Sequence, residues 1–161
     1  MVVPGFPFAH LSGPHGAFIE FGITQYQFPD MELSPGNRDD LNWLRVQFRV
    51  SDGERRWSRN DPAWQTDDLP RLAAWLRQTA DGRAPRDPWT ALEPLLTIVC
   101  ERATPNVELV AELRLELQSD DAKMSNLDWE NPETIRLAPA SNELLAAAEV
   151  LDEAIRRLPP R

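Results

Sequence analysis

The side chains of this sequence that could take part in chemistry are two histidines, one cysteine and several pairs of carboxylates. His10 and His15 lie among prolines and glycines, and no cluster of Cys, His or Asp with the spacing of metal ligands accompanies them. Cys100 closes an apolar run two residues after Ile98, which is typical of a core cysteine rather than of a nucleophile beside a base. The sequence therefore predicts no metal site and no catalytic cysteine.

Adjacent carboxylates are the remaining candidates for acid–base chemistry. They occur at Asp39/Asp40, Asp67/Asp68 and Asp120/Asp121. Neighbours in sequence do not face one another, and solvated turns account for such pairs. The sequence has no glycine-rich phosphate-binding pattern and no G-x-S-x-G nucleophile pattern. We therefore predict a protein that is not an enzyme, with no catalytic residues and no cofactor. An enzyme with an unrecognised site is the least favoured alternative.

The bulk composition narrows the class of partner. The chain has 161 residues, enough for one domain with a hydrophobic core, and a formal net charge of −9 at pH 7. This acidity argues against nucleic-acid binding, which needs a basic face to track phosphates. It fits either the ordinary acidity of many soluble proteins or a preference for a basic partner.

The apolar runs and the cysteine content predict the compartment. No apolar run approaches the roughly 18 residues that span a bilayer, and the first residues contain no basic leader. A single cysteine fits a reducing environment. We expect a cytoplasmic protein that does not associate with membranes.

Hydrophobic periodicity predicts the elements that would position these side chains. Alternating apolar residues predict strands over residues 17–28, 40–52, 53–58, 93–102, 107–118 and 134–139. In residues 107–118 the composition favours a helix, but the strict alternation of apolar residues favours one continuous strand. An Asp52-Gly53 turn joins the second and third strands as a hairpin.

Apolar residues at helical spacing predict two amphipathic helices. The first begins at Thr66, Asp67 or Asp68, with the aspartates favoured, and ends at Gly82. The second begins at a Ser141 cap and is stopped by prolines after Leu158. The predicted fold is α+β, a curved antiparallel sheet of about six strands with both helices on one face. Residues 1–16 are predicted to be an irregular Pro/Gly-rich arm, and residues 17–161 a single domain.

Several short segments in a fixed order resemble a known family. They are "YQFPD" (26–30), "DLNWLRV" (40–46), Trp57, "NDPAWQTDDLPRLAAWL" (60–76), "EPLL" (93–96), the alternating strand with Glu112, and the last helix ending at Leu158-Pro159. This pattern, over roughly residues 18–159, is similar to the WapI-type immunity proteins of bacteria. The resemblance implies a protein that binds the toxin domain of a cognate polymorphic or contact-dependent toxin and blocks it in the producing cell. The namesake toxin acts on tRNA, which makes a basic nuclease domain the expected partner.

The contact region is predicted in the acidic loop that follows residue 118. A tryptophan among carboxylates can anchor a basic protein partner, although a loop aromatic folded back onto the sheet is the alternative. The predicted contact residues are Asp120, Asp121, Asp128, Trp129 and Glu130. A cytoplasmic scaffold or regulatory protein with a partner other than a toxin is the alternative function.

The strand at 40–52 also belongs to the shared pattern. Because Asn42-Trp43-Leu44 is part of the pattern shared with the family, we predict that Trp43 is structural and packs beneath the first helix. We also predict a polar outer face at Arg45, Gln47 and Arg49.

Overall fold

The computed structural model describes residues 6–114, 117–119, 124–125 and 132–161. Within these residues the chain forms ten strands, a 3₁₀ helix at Pro14–Gly16, one short α-helix and two longer α-helices. The α-helices are α1 Arg38–Leu41, α2 Asp68–Ala80 and α3 Ser141–Arg157. The strands are β1 Ala9–Ser12, β2 Ala17–Tyr26, β3 Trp43–Asp52, β4 Arg56–Gln65, β5 Trp89–Thr90, β6 Leu96–Arg102, β7 Glu108–Leu113, β8 Leu117–Ser119, β9 Met124–Ser125 and β10 Glu133–Leu137. No helix in the described part of the chain combines the length and the apolar character needed to cross a membrane.

The strands of the described residues form two antiparallel sheets, and the predicted α+β class is confirmed. One sheet has the order β1-β2-β3-β4-β8-β9, and the other has the order β10-β7-β6-β5. The prediction of one sheet is therefore wrong. Its source is the run at 107–118, because β7 joins the smaller sheet while β8, close behind it in sequence, pairs with β4 in the larger one. Alternation specifies which face of a strand is buried but not which strand is its neighbour.

The hairpin of β3 and β4 forms as the period-2 pattern predicts. Leu44, Val46, Phe48 and Val50 are all buried. At the turn, the Asp52 carboxylate accepts hydrogen bonds from the backbone amides of the two residues that follow Gly53, at 2.9 and 2.7 Å. These bonds satisfy the turn locally, so the register of the hairpin depends little on distant contacts.

The predicted irregular arm supplies a strand. Ala9 pairs with Phe21 and Leu11 with Ile19, and both side chains of β1 are buried in the core. Ser12 then donates hydrogen bonds from its backbone amide and its hydroxyl to the Glu143 carboxylate, at 3.1 and 2.9 Å. The prolines and glycines around it hid this strand, which is only four residues long and gains its partners from β2 and α3.

The two longer helices begin close to their predicted starts. Asp67 precedes α2 as predicted, and the nearly buried carboxylate of Asp68 accepts a hydrogen bond from the Gln65 amide at 2.7 Å and pairs with Arg71. For α3 the capping position is Ala140, one residue before the predicted Ser141. The Glu143 carboxylate accepts a hydrogen bond from the Ala140 amide at 2.8 Å, and the Glu143 amide donates to the Ala140 carbonyl at 3.0 Å.

The hydrophobic core is one cluster that includes side chains from both sheets and from α2 and α3. At its centre, the fully buried Trp64 ring meets the rings of Phe21, Phe48 and Trp89 edge to face, with centroids 5.3, 5.5 and 5.3 Å away. Because Trp64 belongs to β4 and Trp89 to β5, this contact joins the two sheets. The fold therefore depends on a packing centre between two sheets, where the sequence pattern predicted only one sheet.

Candidate partner-binding site

The contact residues predicted from the sequence are not part of the described structure. Asp120, Asp121, Asp128, Trp129 and Glu130 all lie outside the described residues. The described strands β8 and β9, which lie nearest in sequence to Asp120, Asp121 and Asp128, are at one edge of the six-stranded sheet, and β10, which follows Glu130, is at one edge of the smaller sheet. This contact region stays a prediction.

Two of the side chains considered for chemistry, Cys100 and His10, are engaged in contacts within the fold. Cys100 is half-buried against the core, and burial raises the pKa of its thiol. His10 stacks on Phe18, with ring centroids 5.4 Å apart, and its Nδ1 lies 3.4 Å from the Glu20 carboxylate. Among the residues that the structure describes, no group of three or more His, Cys, Asp or Glu side chains is placed to hold a metal ion.

The predicted polar face of β3 carries Arg45 and Arg49, which are paired within the chain, whereas the third predicted residue, Gln47, is buried. The Arg45 guanidinium donates hydrogen bonds to Asn60 Oδ1 at 3.0 Å and to Gln27 Oε1 at 2.6 Å. The Arg49 guanidinium lies over the Phe8 ring, 4.0 Å from its centroid, and 3.5 Å from the Glu20 carboxylate. These cations are already engaged within the chain, which argues against this face as the principal contact surface.

A groove near the start of β3 is a candidate for binding a partner, because its lining combines aromatic, apolar and acidic side chains. It encloses about 420 Å³ and is lined by Gln27, Phe28, Asp40, Trp43, Asp61, Pro62, Glu93 and Leu95. We call it the Trp43 groove. Trp43 is half-buried and lines the groove instead of belonging to the core cluster, so the prediction of a tryptophan packed beneath the first helix is not confirmed.

Two β-bulges shape the strands beside the groove. The β2–β3 register shifts between Ile23 and Gln25, and the β3–β4 register shifts so that Leu44 pairs with Trp64 while Arg45 pairs with Pro62. The extra residue on β4 directs Trp64 to the core and Pro62 to the groove. A proline, which has no amide hydrogen for a sheet ladder, is tolerated at such an irregularity. Local strand geometry therefore separates a core residue from a groove residue only two positions away.

Three carboxylates give the Trp43 groove a negative character. Asp40 and Glu93 are exposed and form no ion pair with any residue that the structure describes. Asp61 lies 3.4 Å from the Arg59 guanidinium and is partly compensated. Because Asp40 is on α1 and Glu93 precedes β6, the two unpaired charges come from segments far apart in sequence. Adjacent-residue patterns could not reveal this arrangement.

Exposed apolar side chains are concentrated on the segments that supply the groove. Four large hydrophobic side chains are exposed in the described residues: Phe28 at 39%, Leu33 at 66%, Leu92 at 66% and Leu145 at 44%. Phe28 lines the groove, Leu33 lies on the same loop, and Leu92 adjoins Glu93. Clustered exposed apolar surface beside charge is typical of a protein–protein contact.

The guanidinium of Arg161 holds the loop that forms one wall of the groove. It donates hydrogen bonds to the backbone carbonyls of Leu41 at 2.7 Å, Phe28 at 2.9 Å and Pro29 at 3.2 Å. These carbonyls lie at both ends of the connection between β2 and β3. One side chain thus ties the two ends of this connection together.

Three further contacts fix the Arg161 segment. The guanidinium stacks on the Tyr26 ring at 3.9 Å, and the Arg161 amide donates a hydrogen bond to Asn42 Oδ1 at 2.9 Å. The Tyr26 hydroxyl donates to the Pro159 carbonyl. Burial raises the pKa of the Tyr26 phenol, although the Arg161 cation opposes this, so the phenol keeps the proton that it donates.

Replacing Arg161 with alanine should loosen the loop that carries Phe28 and Asp40. Loss of several charge-assisted hydrogen bonds is expected to lower the free energy of local opening by about 1–2 kcal/mol. Native-state hydrogen exchange at the amides of Gln27 and Leu41 measures this, since both are hydrogen-bonded in the loop. Arg156→Ala, which removes an exposed arginine paired with Glu153, is the control. Equal protection in both variants would contradict the role given to Arg161.

The arrangement described so far, a groove with two unpaired carboxylates and an exposed phenylalanine, has the features expected of a binding surface. A comparison with protein-family models matches residues 10–159 to the Immunity protein WapI-like family. The chain belongs to this family, which confirms the resemblance seen in its sequence. The match begins inside β1, so it takes in residues assigned earlier to the irregular arm. No curated protein and no solved structure matches the chain.

Proposed function

We propose that this protein is a non-catalytic immunity protein that neutralises a cognate toxin domain by forming a stoichiometric complex in the cytoplasm of the producing cell. The observation that carries the proposal is the family match, which extends over residues 10–159 and therefore over every helix and strand of the described fold except the first residue of β1. Inhibition by binding requires a stable contact surface, which the Trp43 groove offers, and it requires no turnover.

The charge of the chain supports a basic toxin domain as the partner. The net charge of −9 gives the protein a field that attracts cationic surfaces and raises the rate of encounter. Toxin domains that cleave nucleic acids need basic clefts to hold phosphates, so a nuclease is the toxin class to test first.

Titration calorimetry with the cognate toxin domain should give a one-to-one complex with a dissociation constant in about the nanomolar range. Raising the salt concentration from about 50 to about 500 mM should lower the association rate constant, measured by rapid mixing, at least about tenfold, because screening weakens long-range attraction. A matched control is a non-cognate toxin domain of similar positive charge, which should bind much more weakly. No binding of the cognate domain, together with undiminished toxin activity, would contradict the proposal and favour a partner other than a toxin.

A further inference from the structure

We propose that the Trp43 groove is the toxin-binding surface, and that it receives a basic segment of the toxin domain led by an arginine side chain. This inference rests on the proposed function and adds to it the site and the chemistry of the contacting group. It places the principal contact on the part of the fold where β2, α1 and the segment before β6 meet, and not in the acidic loop.

Charge complementarity points to a cation as the group that enters. The groove contains the carboxylates of Asp40 and Glu93 without ion-pair partners among the described residues, and Asp61 with only one, at 3.4 Å. A cation placed between them would pair with charges that the free protein leaves unpaired. Such pairs strengthen when the partner excludes water from them.

The aromatic lining favours arginine over lysine. The half-buried Trp43 lines the groove, and Phe28 lies on the same lining with 39% of its surface exposed. A guanidinium is planar, stacks on aromatic faces and binds carboxylates through two parallel hydrogen bonds. An ammonium group can do the second only as a point charge, so the combination of ring and carboxylates matches a guanidinium better.

The surroundings of the groove favour a protein as the partner. Leu33 and Leu92, each 66% exposed, lie on the two segments that supply Phe28 and Glu93. Exposed apolar side chains on the segments that supply a groove are expected where a protein partner buries a central cationic anchor and covers apolar surface around it. The Arg161 contacts with the carbonyls of Phe28 and Leu41 hold one wall in place before binding, which reduces the ordering cost on association.

The decisive experiment compares two charge-matched double variants in the same titration with the toxin domain. Asp40→Asn with Glu93→Gln removes the two unpaired charges of the groove while keeping their shapes. Glu54→Gln with Glu149→Gln removes two exposed carboxylates outside the groove lining and is the control. Thermal unfolding of all three proteins checks that each variant is folded.

We expect the groove variant to raise the dissociation constant at least about tenfold, and the control to raise it by less than about threefold. Equal effects of the two variants, or no effect of either, would overturn the groove assignment while leaving the proposed function intact, because the unaltered protein still binds. Failure of the unaltered protein to bind or inhibit the toxin would overturn the proposed function and this inference with it.

Discussion

Trp64→Ala is expected to lower the free energy of unfolding by about 3–5 kcal/mol, because it deletes a large side chain from a site that cannot collapse easily. Trp64 is fully buried, and its ring is surrounded edge to face by Phe21, Phe48 and Trp89. Removing it takes away three aromatic contacts, each of which contributes about 0.5–1.5 kcal/mol beyond burial. It also opens a cavity where the two sheets meet. Denaturant unfolding monitored by circular dichroism measures the loss.

Trp64→Phe is the matched control for the alanine variant. The buried Trp64 Nε1 has no hydrogen-bond partner in the described part of the chain, so phenylalanine gives up no hydrogen bond. We expect a loss of only about 1–2 kcal/mol, from the smaller ring alone. If the alanine and phenylalanine variants unfolded at the same denaturant concentration, the aromatic cluster would not be the packing centre that joins the sheets.

Gly13→Ala is the second variant for which we expect a large loss of stability. It should lower the free energy of unfolding by about 3 kcal/mol. Gly13 has an extended backbone with φ at −138°, so the cost is not conformational. A Cβ atom there would lie 2.3 Å from the Arg136 carbonyl oxygen and 3.2 Å from the Leu137 Cα atom, both on the backbone of β10. The strand would have to move, because backbone cannot yield as a flexible side chain can. The same denaturant titration measures this loss.

Gly36→Ala separates steric contact from backbone strain. At Gly36 a Cβ atom would meet nothing within 4 Å, but φ is +91°, so the variant carries strain without a clash. We expect it to cost less than Gly13→Ala. A negligible effect of Gly13→Ala would show that the junction between β1 and β10 is not closely packed, contrary to the hydrogen bond of 2.9 Å that the Ala138 amide donates to the Ser12 carbonyl.

Elements whose partners are close in sequence could be predicted from the sequence. The alternation of Leu44, Val46, Phe48 and Val50 defines the buried face of β3, and the Asp52-Gly53 turn pairs it with β4. Helical spacing, helix-favouring residues and terminal prolines place α2 and α3 within one or two residues of their ends. The ordered segments from "YQFPD" to Leu158-Pro159 indicated the family that the comparison confirms. These signals are local, because they depend on the preferences of neighbouring residues for helix, strand or turn.

Features that depend on distant contacts could not be predicted. The segment 9–12 is too short to show the alternation of apolar and polar residues that is typical of a strand. It forms a strand only because β2 and Glu143 lie beside it. The run at 107–118 has one uninterrupted pattern, yet its two ends enter different sheets because each finds a different neighbour. Pattern determines the buried face, while the competition among all possible neighbours determines the pairing.

The candidate site also has one part that the sequence predicted and another that only the structure revealed. The sequence by itself determined an acidic protein of a particular family and directed attention to a loop of adjacent carboxylates, Asp120 to Glu130, whose role stays a prediction. Only the tertiary structure brought Asp40, Trp43 and Glu93 to one groove, with Arg161 bound to the loop beside it. A contact surface of this kind is built from residues separated by tens of positions, and their proximity results from packing of the whole core, which no local pattern encodes.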